Sequence, residues 1–372
     1  MQQPGARMPS NQPMPGATRA RRLLSWGTVI SLVGVMLAAT DSMAYIKPST
    51  AGLEAEAIVV EARPVSTFEK LSSQATFGRL AFRGGLVLTS SSRNFGGWSG
   101  LVLDERGRRL VAVSDAGSWM IAEIAYEGSR PKGLSNARLG PLQALNSRNL
   151  RKNKDRDAEA VALASGTLDK GELLISFEGN HRIGRFPVER GGVAEPTEYL
   201  KPPPELKAAR KRDGMEAMTI LKGGPRKGQV VAIAEHFKNR SGDHTGWIWE
   251  GGTPKPFHLT NIDDFDITDT ASLADGSLLV LERRFRWLEG IKMRLRHLRA
   301  GEIAPGALIA GEIVMEAGMG HEIDNMEGLA VHTGPSGETV LTLISDDNFN
   351  GFLQRTILLQ FTLHPESQSS AR

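Results

Sequence analysis

Asn325-Met-Glu-Gly-Leu-Ala330 is one of several related segments that recur along the chain. Asp157-Ala-Glu-Ala-Val-Ala162 and Gly214-Met-Glu-Ala-Met-Thr219 have the same acid followed by small and apolar residues. Ile267-Thr-Asp-Thr-Ala-Ser272 is a weaker copy, and Gly97-Trp-Ser-Gly-Leu-Val102 has serine in place of the acid. The acids are 57, 53 and 58 residues apart when the equivalent positions are taken as Glu159, Glu216, Asp269 and Glu327. A period of this size indicates a repeat architecture.

A second apolar run follows each copy and ends in another acid. The two acids are 19 residues apart in three units, from Glu159 to Glu178, from Glu216 to Glu235 and from Glu327 to Asp346. The step from Asp269 to Glu282 is a shortened version, and Asp115 takes the second place in the first unit. Short runs of Val, Ile, Leu and Phe bounded by Gly, Asp, Asn and Pro predict many strands joined by tight turns.

Four strands per unit, repeated around an axis, form the blade of a β-propeller. Five units are visible between about Gly97 and Leu363. Two further strand candidates, Ala57 to Val60 and Leu80 to Leu88, form a sixth blade or complete the last one. We expect an all-β propeller of six blades with four strands in each. Closure of the ring removes the sheet edges that would otherwise invite aggregation.

The composition excludes several kinds of site. The 372 residues include no cysteine, which excludes disulfides, thiolate zinc sites and a cysteine nucleophile. The first 44 residues hold four of the 45 Lys and Arg and one of the 42 Asp and Glu, so that 41 of each sign remain. Because a nucleic-acid-binding domain needs a basic face, we expect no nucleic-acid partner. We also expect a monomer.

The N-terminus has the order of a secretory signal. Arg19-Ala-Arg-Arg22 precedes a mainly apolar run from Leu23 to Ala39, and Ser42-Met-Ala44 supplies small residues for cleavage. We expect residues 1–44 to be a leader and signal peptide and residues 45–372 to be one propeller domain, periplasmic or secreted after cleavage near Ala44. An uncleaved anchor is the alternative, although the apolar run is short for a bilayer span of about 20 residues.

The paired acids fall at one end of the predicted propeller. The first acid opens strand one and the second closes strand two, and antiparallel neighbours place these two points side by side. Strand one lines the central channel, so the first acids converge near the axis. The carboxylates placed at this channel mouth are Glu159, Glu178, Glu216, Glu235, Asp269, Glu282, Glu327, Asp346 and Asp347.

Such a group of carboxylates needs protons, basic partners or a cation to limit its repulsion. Oxygen ligands without thiols suit Ca²⁺, so we expect Ca²⁺ at a metal site drawn from Glu159, Glu178, Glu216, Glu235, Asp269, Glu282, Glu327 and Asp346. Basic residues follow several second acids, and a cation edged by Arg and Lys would grip and polarise a phosphate. In the alternative interpretation, the acids cap turns or latch neighbouring blades together.

Several segments also carry a resemblance to a known family. They are Phe95-Gly-Gly-Trp-Ser-Gly-Leu101, Val113-Ser-Asp115, Ile175-Ser-Phe-Glu178, His181-Arg-Ile183, Leu281-Glu-Arg-Arg-Phe285, Asp324-Asn-Met-Glu-Gly-Leu-Ala330 and Leu343-Ile-Ser-Asp-Asp-Asn-Phe349. In these segments the chain resembles the bacterial phytase-like proteins described as "esterase-like activity of phytase". The resemblance spans about residues 65–363, with the departure that Ser99 stands where other units have an acid.

The resemblance implies the chemistry of β-propeller phytases, which are calcium-dependent phosphomonoesterases. It implies Ca²⁺ at Glu159, Glu178, Glu216, Glu235, Glu327 and Asp346, and phosphate at Arg182 and Arg283. We predict Glu216, Glu327, Arg182 and Arg283 as the catalytic set.

Three functions remain open from the sequence. The first is a calcium-dependent hydrolase of small-molecule esters, with phosphate esters favoured. The second is a calcium-dependent lactonase, in which Asn325 and Asn348 would serve beside the acids. The third is a binding or scaffold propeller without catalysis. No nucleophile elbow or Ser-His-Asp order is present, which disfavours serine-esterase chemistry.

Overall fold

The computed structural model describes residues 47–48, 50, 53–145, 148–150 and 152–365, together with Met1. Apart from Met1, the predicted leader, signal peptide and cleavage position lie outside the described residues. In the described part, no helix is long and apolar enough to cross a membrane. The helices found there are the short α1 (Asn153–Arg156) and a single 3₁₀ segment (Pro204–Ala208). The predicted all-β class is confirmed.

Strands make up most of the described chain. In chain order they are β1 (Glu56–Ala57), β2 (Val60–Val65), β3 (Thr76–Phe77), β4 (Leu80–Ser90), β5 (Trp98–Leu103), β6 (Arg109–Ser114), β7 (Ser118–Glu127), β8 (Arg130–Pro141), β9 (Gln143–Ala144), β10 (Arg148–Asn149), β11 (Ala158–Thr167), β12 (Lys170–Phe177), β13 (Arg182–Glu189), β14 (Gly192–Val193), β15 (Glu198–Tyr199), β16 (Met215–Ile220), β17 (Val230–Lys238), β18 (His244–Glu250), β19 (Thr253–Leu259), β20 (Asp266–Ser272), β21 (Leu278–Arg286), β22 (Gly290–Leu298), β23 (Leu308–Ile309), β24 (Glu312–Ala317), β25 (Asn325–Thr333), β26 (Thr339–Asp346) and β27 (Thr356–Leu363).

Five sheets form the blades of the propeller, which we number in chain order. Blade 1 has the order β1-β8-β7-β6-β5, and blade 2 has β11-β12-β13-β14 with β15 also on β13. Blade 3 has the order β16-β17-β18-β19-β23, and blade 4 has β20-β21-β22-β24. Blade 5 has β2-β4-β27-β26-β25, with β3 on β4, while β9 and β10 form a small separate ribbon.

The prediction of six blades is wrong, since the described residues form five. The strand β4, which we had placed in an extra blade, instead pairs antiparallel with β27, from Leu80 opposite Leu363 to Leu88 opposite Thr356. The N-terminal part of the chain therefore completes the last blade, and this pairing joins the two ends of the ring. A uniform four strands per blade is also not found, because only the blade 4 sheet has four.

The first strands of the blades form a closed ring in which each strand contacts the next. These strands are β5, β11, β16, β20 and β25. The blades pack face to face through apolar side chains on both surfaces of their sheets. Leu279 and Leu281 of blade 4, for example, share one cluster with Leu341 and Leu343 of blade 5. This two-sided burial explains why the second strands read as continuous apolar runs.

Candidate functional site

A β-bulge lies in every inner strand at the start of the blade. At this end the register against the second strand shifts between the following pairs of residues: Trp98 and Gly100, Ala158 and Val161, Met215 and Ala217, Ile267 and Asp269, and Met326 and Gly328. Blade 2 has a second shift further along, between Leu163 and Ser165. Bulges bend a strand and re-aim its side chains, and they are common beside active sites. The residues within these shifts include Ser99, Glu159, Glu216, Thr268 and Glu327.

The second strand supplies one further residue per blade at the same end. The last residue before each bulge pairs with a residue of the second strand, and the site residue directly follows that partner in sequence. In blades 1 to 5 these residues are Asp115, Glu178, Glu235, Arg283 and Asp346. Blade 4 is thus the exception, with Thr268 and Arg283 where blades 2, 3 and 5 have two acids. The side chains at this end of the propeller therefore include a cation, the guanidinium of Arg283.

Carboxylates of blades 2 and 3 come together at this end. The ligand atoms of Glu178, Glu216 and Glu235 lie within 4.8 Å of one another, and the same holds for Asp157, Glu159 and Glu178. Glu178 belongs to both groups and joins them into one row, which we call the acid row. Asp157 and Glu159 are buried, at 5% and 6% exposed, whereas Glu178, Glu216 and Glu235 are half-buried.

Burial and the repulsion of neighbouring charges raise the pKa of Glu178, Glu216 and Glu327. Burial raises the pKa of Glu178 to about 7, helped by the charges of Asp157 and Glu235. Burial also raises the pKa of Glu216 well above its ordinary range, and the charges of Glu159 and Glu235 add to the shift. The pKa of Glu327 rises to about 7 for the same primary reason, although Arg283 opposes the shift. Carboxyl groups whose pKa is raised in this way gain most from a nearby bound cation.

Arg283 enters from blade 4 and contacts the acids on both sides. It donates hydrogen bonds to Oε1 of Glu235 at 3.1 Å and to Oδ1 of Asn325 at 2.7 Å, and it lies 4.0 Å from Oε1 of Glu327. Asn325 in turn donates to Oε1 of Glu327 at 2.7 Å. Although burial acts against its charge, Glu327 and Glu235 raise the pKa of Arg283, so it stays cationic.

A second cation reaches the site from the N-terminal segment. Nζ of Lys47 lies 2.5 Å from Oδ1 of Asp157 and 3.0 Å from Oδ2 of Asp115. The pKa of Lys47 is raised because the charges of Asp115, Asp157 and Glu159 outweigh the effect of burial. Lys47 therefore links Asp115 of blade 1 to Asp157 of blade 2 by forming an ion pair with each.

The family described as "Phytase-like: Esterase-like activity of phytase" matches residues 93–349, which is more than half of the chain. The chain belongs to this phytase-like family. A comparison with curated proteins gave no match. The matched range of the phytase-like propeller includes every ring position from Ser99 to Asp346, whereas Lys47 precedes it.

Two of the predicted metal ligands of this phytase-like propeller point away from the acid row. Asp269 accepts hydrogen bonds from the backbone amides of Thr270 at 2.8 Å and of Leu329 in blade 5 at 2.7 Å. Glu282 is bonded to buried Arg296, and its Oε2 lies 3.9 Å from Arg294. Asp269 thus has the latch role that the sequence left as an alternative.

Arg182, predicted to bind phosphate, contacts backbone carbonyls and an aromatic ring of blade 2 and of the segment before it. Its guanidinium donates to the carbonyl oxygens of Asn180 at 3.0 Å and Asp155 at 2.5 Å, and it stacks 3.8 Å above the ring of Phe177. Among the described residues, no contact of Arg182 with the acid row is found. Of the predicted catalytic set, the structure brings together Glu216, Glu327 and Arg283.

Several site residues were not among the predicted ligands. Asp157 opens the first full copy of the repeat, but the equivalent residues Gly214 and Asn325 carry no acid, so the repeat does not indicate it. Asp115 had been recognised as a second acid without entering the metal set, and Lys47 gives no signal in the repeat. Asp346, which was predicted, is buried and accepts a bond from the amide of Asn348 at 2.6 Å.

Glycines allow the acids to approach the backbone. Gly97 has a φ of 66°, and a Cβ there would lie 2.4 Å from Oδ1 of Asp115. A Cβ on Gly214 would lie 2.2 Å from Cγ of Glu178. Any other residue at either position would displace a carboxylate of the site.

The side chains fit a calcium ion in three respects. The donors of the acid row are carboxylate oxygens, the ligands that Ca²⁺ prefers. Oε1 of Glu178 and Oδ1 of Asp115 are buried and have no hydrogen-bond partner among the described residues. The ammonium of Lys47 already stands where a cation would balance Asp115 and Asp157.

Proposed function

We propose that this phytase-like propeller is a calcium-dependent hydrolase of phosphate esters. The observation that carries the proposal is the acid row set against Arg283, which bonds to Glu235 at 3.1 Å. A cation-binding half and an anion-binding half of one site thus lie side by side. Phosphoryl transfer needs this pairing, because catalysis there is mostly positioning and charge stabilisation.

Glu159, Glu178, Glu216 and Glu235 are the residues that would hold calcium, with Glu327 and Asp346 beside them. When bound, calcium would supply Lewis-acid polarisation of a phosphoryl oxygen. Arg283 would orient the anionic phosphate through its planar guanidinium. Glu327, whose pKa is about 7, would accept the proton of an attacking water. The water oxygen bonds to phosphorus, the ester P–O bond breaks, and the leaving alkoxide takes a proton from solvent to depart as the alcohol.

Calcium removal is the first test. With calcium at 100 times its Kd, the free energy of unfolding should rise by about 2.7 kcal/mol over that in chelator. The measurement is thermal unfolding in chelator, followed by calcium titration by calorimetry. An unfolding temperature that ignores both chelator and calcium would favour acids acting as latches only.

Activity on a nitrophenyl phosphate and on a lactone panel is the second test. Glu216→Gln and Glu327→Gln should each lower phosphate hydrolysis by about two orders of magnitude or more, because each removes a charge from the site. Glu205→Gln, at an exposed position, is the matched control and should leave the rate unchanged. A folded, calcium-loaded wild type that cleaves no ester tested would move the assignment to a binding propeller.

A lactonase is the second candidate, and Asn325 favours it. This amide lies in the site between Arg283 and Glu327, where it would stand beside calcium with a Glu and an Asp. Hydrolysis of lactones without hydrolysis of phosphate esters would select this activity.

Export is part of the same proposal. Arg19 to Ala44 has the order of a cleavable signal, and calcium is more available outside the cytoplasm. Protein from a periplasmic fraction should begin at Tyr45, as read by N-terminal sequencing. An intact N-terminus held in the membrane would contradict the export proposal.

A further inference from the structure

The ammonium of Lys47 lies between an acid of blade 1, Asp115, and an acid of blade 2, Asp157. Its Nζ is bonded to Oδ1 of Asp157 at 2.5 Å and to Oδ2 of Asp115 at 3.0 Å, and it lies 3.4 Å from the carbonyl oxygen of Asp115. The side chains of Asp115 and Asp157 are only 12% and 8% exposed. Two buried carboxylates and a carbonyl oxygen therefore surround the Lys47 ammonium, and Nζ of Lys211 lies 3.9 Å from Oδ2 of Asp157.

The acids and the lysine are held in different ways. Asp115 directly follows β6, and Asp157 lies between α1 and β11, where its carbonyl oxygen accepts a hydrogen bond from the amide of Glu178 at 2.8 Å. Lys47 belongs to no strand or helix. The contact found for its neighbour Pro48 is the bond from Arg156 to the Pro48 carbonyl at 2.7 Å. Withdrawal of Lys47 would therefore strain this contact and the link to buried Thr50, three residues further on.

We propose that Asp115 and Asp157 form a cation subsite that the Lys47 ammonium and a divalent cation occupy in turn. The subsite shares Asp157 with the acid row, since Asp157 groups with Glu159 and Glu178 within 4.8 Å. Buried Oδ1 of Asp115 lacks a hydrogen-bond partner among the described residues, which leaves it available to a cation. The inference rests on the proposed function only in taking calcium as the cation.

Competition of this kind lowers the apparent affinity for calcium. If the ion enters only when Lys47 has withdrawn, the measured Kd is the intrinsic Kd divided by the fraction of molecules with the subsite open. The N-terminal segment then acts as an internal competitor that the ion must displace. Lys47 lies before the family match at residue 93, so this control belongs to the N-terminal segment rather than to the matched repeat.

Calcium calorimetry on the full chain tests the proposal. Lys47→Met should bind calcium at least about tenfold more tightly than wild type, because the competitor is gone. Lys47→Arg keeps the charge and should resemble wild type, and Lys132→Met, at an exposed ion pair with Glu127, is the control. In Lys47→Met/Asp157→Asn the gain should disappear. Equal affinities in wild type and Lys47→Met would overturn the subsite.

Hydrogen exchange gives a readout that does not depend on affinity. The amide of Leu53 donates to the carbonyl oxygen of Thr50 at 3.1 Å in the same segment. Saturating calcium should speed exchange at Leu53 in the wild type as Lys47 leaves. Unchanged exchange together with calcium bound at the acid row would make Lys47 a permanent counter-ion and overturn the proposal.

The two proposals fail in different ways. Tighter calcium binding by Lys47→Met without hydrolysis of any ester would support the subsite and contradict the hydrolase. Hydrolysis that needs calcium, with identical Kd values for wild type and Lys47→Met, would contradict the subsite alone. An absence of calcium binding in both proteins would contradict both.

Discussion

Arg283 places a positive charge in blade 4, at a position where the other blades have a carboxylate. Its partner Glu235 has a side chain 14% exposed, and Arg283 itself is 27% exposed. Removing one member of a fully buried pair costs about 3–5 kcal/mol, because the other charge is left uncompensated. Partial exposure here reduces the expected loss.

We predict that Arg283→Gln lowers the free energy of unfolding by about 2 kcal/mol in chelator. Calcium should restore part of this loss, since it neutralises the same acids. Urea unfolding with and without calcium measures both effects, with Arg240→Gln at an exposed turn as the control. A stability equal to wild type in chelator would mean that the bonds of Arg283 to Glu235 and Asn325 contribute no net stability.

His332 gives a pH dependence that is separate from the site. It is 7% exposed, and burial lowers its pKa to about 4, with Arg83 and Lys222 lowering it further and Glu338 opposing them. An unfolded histidine has a pKa of about 6.5. Between these values the unfolded chain binds a proton that the folded chain does not, so stability falls as pH decreases from about 6.5 to 4.

The variant His332→Leu should lack this component of the pH dependence. Wild type should lose up to about 3 kcal/mol more than the variant between pH 7 and pH 4. Urea unfolding at several pH values checks the difference. Parallel curves for the two proteins would show that His332 takes up its proton equally in both states.

At the scale of single strands, the bulges explain what the sequence could and could not predict. The spacing of 19 residues located both acids in blades 2, 3 and 5, because those units share one length. In blade 4 the bulge contains Thr268, whereas the acid taken as the anchor was Asp269. A shift of one residue moves a side chain to the other face of a strand. For the same reason, the sequence pattern predicts Glu282 and not Arg283 as the residue that the second strand contributes to the site.

The position after the bulge faces the neighbouring blade and not the acid row. A Cβ on the equivalent Gly100 would lie 2.5 Å from the carbonyl oxygen of Glu159, and one on Gly328 would lie 3.1 Å from Cβ of Leu101 in blade 1. Asp269 uses this position to bond the amide of Leu329 in blade 5 at 2.7 Å. Alternating apolar patterns do not reveal an inserted residue, so the sequence alone could not separate latch from ligand.

We predict that Asp269→Ala destabilises the fold without changing the affinity for calcium. The loss should be about 2 kcal/mol, because the buried amides of Thr270 and Leu329 lose their acceptor. Urea unfolding and calcium calorimetry on the same sample measure the two properties. A weaker Kd for calcium with unchanged stability would place Asp269 among the ligands.

At the scale of the whole molecule, the repeat predicted the class of fold but not the closure of the ring. Five units were visible because each has its own acid and apolar runs. The pairing of β4 with β27 joins residues 80–88 to residues 356–363, and no local pattern encodes so distant a contact. The choice between a sixth blade and completion of the fifth therefore depended on tertiary pairing, which the sequence left open.

This pairing should be the place where a covalent link stabilises the propeller most. Ala81 lies opposite Thr362 in the β4 and β27 pair, and the chain has no cysteine of its own. Ala81→Cys/Thr362→Cys would thus form a single disulfide that closes nearly the whole ring. Because stabilisation grows with the length of the closed loop, oxidation should add about 3–5 kcal/mol to the free energy of unfolding.

A matched bridge, Lys170→Cys/Glu189→Cys, joins two neighbouring strands of blade 2 and closes only a short loop. Comparing oxidised and reduced forms of both variants by urea unfolding separates closure of the ring from a general effect of a disulfide. A ring bridge that stabilises no more than the short bridge would show that the two ends of the propeller do not separate before the rest unfolds.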